Sequence, residues 1–194
     1  MAETMRCVRI AEPGRVELDE APVPEAGPGE VLVEIEATGV GQAVVNYVDA
    51  TVGAADKTRG RIPANEAVGR VVEAGPGVTH VEAGDRVGAY YVLVCDHCEE
   101  CLSGHQSVCP NQRGRVAVEI DGGLAEYVRL PAGNALPIPD SIDPIGTTVV
   151  DVVGVCYHVA DQRMEIEPGD DVMVLGAGRV GLHQVQVAQF FGAS

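Results

Sequence analysis

The chain has no tryptophan, few aromatic residues and a single lysine, and each shortage excludes a class of protein. Aromatic residues make up 4% of its 194 residues, and Lys57 is the only lysine. With a formal net charge of −16, the chain lacks the basic surface that a nucleic-acid backbone requires, so we expect no nucleic-acid partner. No apolar run approaches the ~20 residues that cross a bilayer. We therefore expect no membrane association either.

The amino-terminal residues and the isolated cysteines indicate a reducing environment. The first ten residues, MAETMRCVRI, lack the basic start and apolar stretch of a secretory signal. Cys7 and Cys156 lie in apolar segments that are typical of small buried side chains. These observations favour a cytoplasmic protein without disulfide bonds.

Four cysteines are concentrated in one short segment with the spacing C-x2-C-x2-C-x7-C. They are Cys95, Cys98, Cys101 and Cys109. Thiolates this close can converge on one tetrahedral zinc ion, which binds four sulfurs at about 2.3 Å in closed structural sites. Because four thiolates leave no open coordination position, the cluster predicts one structural zinc ion per chain. An iron–sulfur cluster is the first alternative, although such runs usually end in C-x3-C-P; disulfide bonding is the second.

Short segments rich in β-branched residues, separated by glycine and proline turns, fill the first two thirds of the chain. They predict strands over Met5–Ile10, Arg15–Leu18, residues 31–36, Val68–Ala74, Arg86–Val94 and Gly123–Leu130. Many short strands at this spacing favour a closed or nearly closed barrel.

The character of the chain changes after Pro139. Pro144–Asp161 is mostly apolar and predicts a helix. A short buried strand is expected over Asp171–Leu175, followed by a glycine loop over residues 176–181 and a helix to Phe191. Strand, glycine loop and helix in this order match the dinucleotide-binding fingerprint.

The glycine loop supplies the candidate cofactor-binding residues. Gly176 would make the turn out of the strand, Gly178 would let the backbone approach a pyrophosphate, and Gly181 would let the helix pack closely. Arg179 and Val180 complete the set at the helix amino terminus, which favours an anion. The residue that separates NAD from NADP is expected about 20 positions further on, beyond Ser194, so the sequence predicts either cofactor.

In combination these features resemble the zinc-containing medium-chain alcohol dehydrogenases. The resemblance covers the whole chain as an amino-terminal portion of such an enzyme. Besides the four cysteines and the glycine loop, it rests on residues 28–33 (PGEVLV), 37–40 (ATGV), 66–72 (EAVGRVV), 84–87 (GDRV) and 122–127 (GGLAEY). It implies a mainly β GroES-like barrel over residues 1–140 with a zinc lobe at 94–112, then the start of an α/β Rossmann domain over 141–194.

The chain departs from this family at the second, catalytic zinc, which polarises an alcohol or carbonyl oxygen as a Lewis acid. The family's first ligand, a cysteine, corresponds to Gly41, and the second, a histidine, corresponds to Asn65. The third would fall near Asp151 or Val152. Glu66 and Asp151 are therefore the remaining candidate catalytic residues.

The positions of the family's proton relay have changed as well. The hydroxyl residue that starts the relay corresponds to Ala43, and the relay histidine corresponds to Asn46. Zinc in a catalytic site needs three protein ligands and an open position, so we predict that the catalytic zinc is absent. The alternative is a site rebuilt by a shifted residue such as Asp49 or His158.

The resemblance implies an NAD(P)-dependent oxidoreductase that acts on a small molecule and forms a homo-oligomer if the cofactor domain is complete. Without a catalytic metal, an activated double bond or a quinone is the expected substrate, because hydrogen-bond donors can stabilise the enolate that forms. Two alternatives remain. The chain could be a truncated, zinc-bound module without catalytic activity, or an ordinary zinc-dependent alcohol dehydrogenase if the alignment at Gly41 and Asn65 is wrong.

Overall fold

The computed structural model of the protein describes residues 3–49 and 55–194. The chain divides into two compact units, Met1–Thr148 and Val149–Ser194. The strands are β1 (Thr4–Glu12), β2 (Arg15–Pro22), β3 (Glu30–Gly39), β4 (Glu66–Ala74), β5 (Arg86–Ala89), β6 (Val92–Leu93), β7 (Gly114–Arg115), β8 (Tyr127–Pro131) and β9 (Ala135–Pro137). The helices are α1 (Gln42–Val48), α2 (Ala55–Thr58), α3 (Glu99–Leu102), α4 (Pro144–Thr147), α5 (Val150–His158) and α6 (Arg179–Phe190).

The first unit begins with an antiparallel hairpin, as the sequence predicts. β1 and β2 pair from Thr4 opposite Pro22 down to the turn. Gly14 adopts φ +77° in that turn, a left-handed conformation that glycine reaches without steric cost. Met5 and Cys7 alternate with exposed residues and are buried, so one face of the hairpin contributes to the core.

The centre of the first unit is a curled antiparallel sheet in the order β8-β3-β4-β5-β9. The hairpin continues it through a single bridge between Cys7 and Ala125, where the Val8 N–H donates to the Leu124 carbonyl oxygen at 2.8 Å. The predicted barrel is thus a curled sheet extended by a hairpin. α4 also packs against β3 and β4, although it follows the domain boundary that the sequence suggests.

Branched aliphatic side chains fill the core of this sheet. Because the chain has two phenylalanines and no tryptophan, valine and leucine provide most of the buried volume. Each fully buried side chain of this kind stabilises the fold by about 1.5–3 kcal/mol. The main members are Val31, Val33, Val71, Val87, Val116, Val128 and Leu130.

Two predicted strands are wrong in their extent. The strand expected over Arg86–Val94 divides into β5 and β6, because the Tyr90 N–H donates to the Asn134 carbonyl oxygen and β6 pairs with β7 instead. The strand expected over Gly123–Leu130 begins only at Tyr127. Before it, the backbone at Gly122 and Gly123 packs directly on residues 62–64.

The second unit is helical. The single helix expected over Pro144–Asp161 is divided in two. α4 ends at Thr147, and α5 begins at Val150 and continues into a π-helical turn over Val159–Arg163. The longest described helix is α6, with 12 residues, and none of the described helices is long and apolar enough to span a bilayer. The carboxyl-terminal end of α6 is capped by Gly192 at φ +87°. The Ala193 N–H donates to the Ala188 carbonyl oxygen, which is a Schellman arrangement.

The predicted strand over Asp171–Leu175 is also wrong. Within the described part of the chain, its residues belong to no β-sheet. Met173 and Leu175 are 82% and 90% exposed, so the segment is not buried. A β-strand is stabilised by a neighbouring strand, and here the described contact is limited to the Val172 N–H, which donates to the Ser194 carbonyl oxygen at 3.2 Å, and the Ser194 N–H, which donates to the Asp170 carbonyl oxygen at 2.9 Å.

Asn134 fixes the point where the chain leaves the sheet. Its side chain is 2% exposed. The Nδ2 group donates to the carbonyl oxygens of Tyr90 and Val92, each at 2.7 Å. One amide therefore satisfies two buried acceptors at the base of the segment that carries the four cysteines.

Asn134→Asp should lower the free energy of unfolding by about 1–3 kcal/mol, because a carboxylate cannot donate to either carbonyl. Urea denaturation followed by circular dichroism measures this change. Gln162→Glu, the same kind of amide-to-acid change at an exposed position, is the matched control and should have little effect. Equal stability of the two variants would contradict the anchoring role.

Ala64 holds an unusual backbone conformation just before β4. It adopts φ +74°, a region that is unfavourable for a residue with a Cβ atom. The Gly123 N–H donates to the Ala64 carbonyl oxygen at 2.7 Å, and this bond helps to hold the conformation. The backbone before Asn65 is therefore strained and fixed.

Ala64→Gly should be less destabilising than Ala67→Gly by about 1–2 kcal/mol, because only the first change removes a Cβ atom from a left-handed backbone. Both alanines are buried, and Ala67 lies in β4, so the pair is matched in chemistry and exposure. Chemical denaturation of both variants gives the difference. A larger loss for Ala64→Gly would contradict the strain.

Candidate metal centre and cofactor loop

The four cysteines lie on a lobe between β6 and β7. These two strands form a short antiparallel ribbon that closes the lobe at its base. Asp96, in the first turn after Cys95, adopts φ +62°, which reverses the chain toward Cys98. α3 then carries Cys101, and a short 3-10 helix over Gln106–Val108 leads to Cys109. Local turns thus direct all four side chains inward.

The four sulfur atoms lie within 4.8 Å of one another. The Sγ–Sγ distances are 3.9 Å for Cys95–Cys101, 3.8 Å for Cys98–Cys109 and 3.6 Å for Cys95–Cys109. A regular tetrahedron with 2.3 Å metal–sulfur bonds has edges of about 3.8 Å. The thiols therefore have the size and arrangement of a shell around one zinc ion.

The same distances discriminate against the two alternatives. A disulfide bond requires sulfur atoms about 2.05 Å apart, and all six cysteines are free. In an iron–sulfur cluster the thiolates bind several iron atoms, so they stand further apart than four ligands of a single ion. The geometry fits a single tetrahedral metal best.

The electrostatics of the lobe also favour a cation. A backbone hydrogen bond from His97 lowers the pKa of the Cys95 thiol to about 6. Burial raises the pKa of Cys101, because a thiolate there would lack solvation. Four neighbouring sulfurs cannot all carry negative charge unless a cation compensates it, and a bound zinc ion deprotonates its thiol ligands.

Gly41 and Asn65, which the resemblance aligns with the family's catalytic-zinc ligands, supply neither a thiol nor an imidazole. Gly41 caps α1 with an extended backbone and has no side chain to offer. Asn65 and Glu66 are buried, and the Glu66 carboxylate lies so close to Gly39 that a Cβ atom there would collide with it. Among the described residues, the four cysteines are the only group of three or more His, Cys, Asp or Glu side chains close enough to share a metal.

The other candidate residues are distributed as follows. Asp151 lies in the first turn of α5, in the second unit. Asn46, at the relay position, accepts a hydrogen bond from the Gln42 amide at 3.0 Å. The buried Thr38 Oγ1 has no hydrogen-bond partner within the described structure. Sequence reasoning did not single out Thr38 or Asn134, because burial and missing partners depend on tertiary packing.

The glycine loop lies at the amino terminus of α6. Gly176 adopts φ +110°, and a Cβ atom at Gly181 would collide with the Gly176 carbonyl oxygen. Gly178 caps the helix with open space where its Cβ atom would stand. Arg179 and Val180 begin the first turn, which contains no acidic residue. The loop can therefore accept an anion against exposed backbone N–H groups.

Comparison with known proteins identifies the family. The sequence profile of the alcohol dehydrogenase GroES-like domain matches residues 27–140. An L-threonine 3-dehydrogenase of Xanthomonas campestris is 37% identical over 177 residues, which cover 91% of this chain and 51% of that protein. The chain thus spans about half the length of the curated relatives it matches.

Solved structures give the same result. A thermostable alcohol dehydrogenase from Pyrobaculum aerophilum, with cobalt and zinc bound, superposes with a TM-score of 0.89 at 36% identity, covering 98% of this chain and 58% of that one. A zinc-binding dehydrogenase from Sinorhizobium meliloti, bound to NADP, superposes with a TM-score of 0.88 at 31% identity, covering 99% of this chain and 55% of that one. The chain belongs to the alcohol dehydrogenase GroES-like domain family and corresponds to part of a zinc-type medium-chain dehydrogenase.

Proposed function

We propose that this chain is part of an NAD(P)-dependent oxidoreductase that holds one structural zinc ion, lacks the catalytic zinc of its family, and reduces activated double bonds or quinones. The observation that carries the proposal is the contrast between two places in one fold. Four thiols converge at the cysteine lobe, whereas Gly41 offers no ligand at all where the family has a cysteine. We further propose a small-molecule substrate, a homo-oligomeric enzyme and a cytoplasmic location.

The structural zinc would be held by Cys95, Cys98, Cys101 and Cys109. A closed four-thiolate shell has no open position for a substrate, so the ion would stabilise the lobe and take no part in the reaction. The lobe buries only a small apolar cluster around Val92 and Val94. A bound metal ion would therefore supply stability to the lobe that a larger apolar core would otherwise provide.

The nicotinamide cofactor would be held at the glycine loop. Reduced nicotinamide supplies a hydride to an electrophilic carbon. The chain's own contribution is to bind the pyrophosphate through the backbone at Gly176, Gly178 and Gly181, with Arg179 and Val180 at the helix start. The open space beside Gly178 and the absence of acidic residues from the first turn of α6 support this assignment.

The missing catalytic ligands determine which reaction is favoured. A simple carbonyl group accepts a hydride readily only when its oxygen is strongly polarised, which zinc does in this family. A conjugated alkene accepts the hydride at its β-carbon, and hydrogen-bond donors can stabilise the resulting charge on oxygen. Glu66 and Asp151 remain candidates for proton handling in such a site.

The relatives favour one other candidate. Because the similar curated proteins are named L-threonine 3-dehydrogenases, oxidation of a small alcohol with a second, catalytic zinc is the principal competing function. A non-catalytic zinc-bound module is the third. The metal content and the substrate range separate the three.

The purified chain should contain one zinc ion, and Cys98→Ser should lose it, because three thiolates and a hydroxyl form a much weaker shell. Elemental analysis of metal per chain measures both. Cys7→Ala is the matched control, since Cys7 is a buried thiol outside the cluster, and it should keep the ion. Two zinc ions in the unaltered chain would refute the loss of the catalytic site, and iron with visible absorption would refute the zinc assignment.

The enzyme should oxidise reduced nicotinamide in the presence of cyclic enones and quinones, with no turnover of simple alcohols in the reverse direction, because no Lewis acid activates the alcohol oxygen. The decrease in absorbance at the nicotinamide band gives the rate for each substrate. Addition of zinc to the assay should leave the rates unchanged. Alcohol oxidation that depends on added zinc would instead support the competing function.

A further inference from the structure

Four of the 13 basic residues of the chain line one cavity in the first unit. The cavity has a volume of about 430 Å³, and these basic residues are Arg9, Lys57, Arg59 and Arg61. Two acidic residues, Glu119 and Asp121, line it as well. Four positive and two negative side chains give the lining a formal charge of +2, whereas the net charge of the chain is −16. A positive cavity on an acidic protein attracts anions.

Two of the guanidinium groups keep N–H donors that a ligand could use. The Arg59 side chain makes no ion pair or hydrogen bond with the residues that the structure describes. Arg61 Nη1 lies 3.7 Å from Asp121 Oδ1, which is beyond hydrogen-bond distance. Arg9 differs from both, because its Nε donates to Asp19 Oδ2 at 2.8 Å. Arg59 and Arg61 are therefore the available donors.

The two carboxylates of the cavity are held by backbone groups. Asp121 Oδ1 accepts a hydrogen bond from the Ile62 N–H at 3.2 Å. Glu119 Oε2 accepts from the Arg115 N–H at 2.8 Å, and its Oε1 accepts from Lys57 Nζ at 2.9 Å. These donors compensate part of the negative charge. The ion pair of Lys57 is exposed, and such a pair contributes little to stability, so Lys57 can turn to a bound anion at small cost.

The turn that carries Arg59 and Arg61 has a fixed backbone. Gly60, between them, adopts φ +77°. The Gly60 N–H donates to the Ile10 carbonyl oxygen at 2.7 Å, and the Ile10 N–H donates to the Arg61 carbonyl oxygen at 3.0 Å. Arg9 supports the same turn, because its Nη1 donates to the Gly60 carbonyl oxygen. Both free guanidinium groups therefore start from anchored positions, which lowers the entropic cost of binding.

A second cavity, of about 520 Å³, adjoins the first. The residues that line both are Arg9, Arg61, Glu119 and Asp121. The walls of the second cavity include four apolar side chains, Met5, Ala21, Ile62 and Val128. A ligand whose charged end lies at Arg61 could therefore place an apolar part beside these walls.

We propose that the turn Arg59–Arg61 binds the phosphate group of a small organic phosphate monoester, and that the organic part of this ligand lies in the adjoining cavity. Guanidinium groups match phosphate oxygens with paired N–H donors, and Lys57 adds a further positive charge. A nucleic acid is a poor fit, because the rest of the chain is acidic. Such binding requires neither the zinc ion nor the nicotinamide cofactor.

The first experiment is a calorimetric titration of the full chain with phenyl phosphate near neutral pH, where the ester carries close to two negative charges. Arg59→Gln and Arg61→Gln should each weaken binding about tenfold or more, because a charge-assisted hydrogen bond is lost. Arg15→Gln is the matched control. It removes the same charge from an exposed arginine that is paired with Glu12 and Glu17, and it should bind like the unaltered chain. Absence of binding, or equal losses in all three variants, would overturn the proposal.

A variant that gains affinity separates the effect from damage to the fold. Asp121→Asn should bind phenyl phosphate about fivefold more tightly, because a negative charge near the phosphate is removed. The asparagine side-chain oxygen can still accept the hydrogen bond from the Ile62 N–H. The same titration measures this change. Unchanged or weaker binding by Asp121→Asn would contradict an anion at this position.

Inorganic phosphate and benzoate test the two parts of the ligand separately. Both should bind more weakly than phenyl phosphate, because inorganic phosphate lacks the apolar part and benzoate carries a single charge on two oxygens. Tighter binding of inorganic phosphate would refute the role of the adjoining cavity and support the phosphate site. Benzoate binding as tight as that of phenyl phosphate would refute the recognition of phosphate.

Discussion

The antiparallel pairing of β3 with β4 determines where everything else in the first unit can lie. Gly39, the last residue of β3, pairs with Glu66, the first residue of β4. The two strands lie so close together that a Cβ atom at Gly39 would collide with the Glu66 carboxylate, and a Cβ atom at Gly69 would collide with the Glu34 carbonyl oxygen. Because of this register, the ends of both strands reach the same edge of the sheet. The residues just beyond them, Gly41 and Asn65, therefore belong to one region.

The cysteine lobe is attached to the same sheet but does not depend on that edge. β6 leaves the sheet where Asn134 binds the Tyr90 and Val92 carbonyl oxygens, and the ribbon with β7 closes the lobe. The lobe's stability then comes from four thiolates and whatever ion they bind, because its own apolar cluster is small. The structural ion and the catalytic chemistry are thus physically separable. A protein of this fold can lose one metal site and keep the other.

Features that arise from local chemistry were predictable from the sequence. The cysteine spacing, the hairpin around Gly14 and the glycine loop all follow from residues close together in the chain. Features that depend on residues far apart in the chain could not be predicted from the sequence. The segment expected as a strand over Asp171–Leu175 has only the last residue, Ser194, as a backbone partner in the described structure, and the break at Tyr90 depends on Asn134, 44 residues away. The buried Thr38 Oγ1 has no hydrogen-bond partner within the described structure, and this too depends on tertiary packing.

The overall similarity of this chain to its relatives and the residues at its β3–β4 edge favour different reactions. Identity of 37% to L-threonine 3-dehydrogenases is spread over a scaffold whose turns, sheet register and cysteine lobe any member of the family needs. We propose that the choice of reaction depends on a few positions at the β3–β4 edge, where the resemblance predicts cysteine and histidine and this chain has glycine and asparagine. A zinc ion can be replaced as an electrophile only by donors that are buried and fixed. At this edge residues 62–69 are buried and Ala64 is held in its left-handed conformation, so a hydrogen-bond donor carried on this segment would be fixed in position.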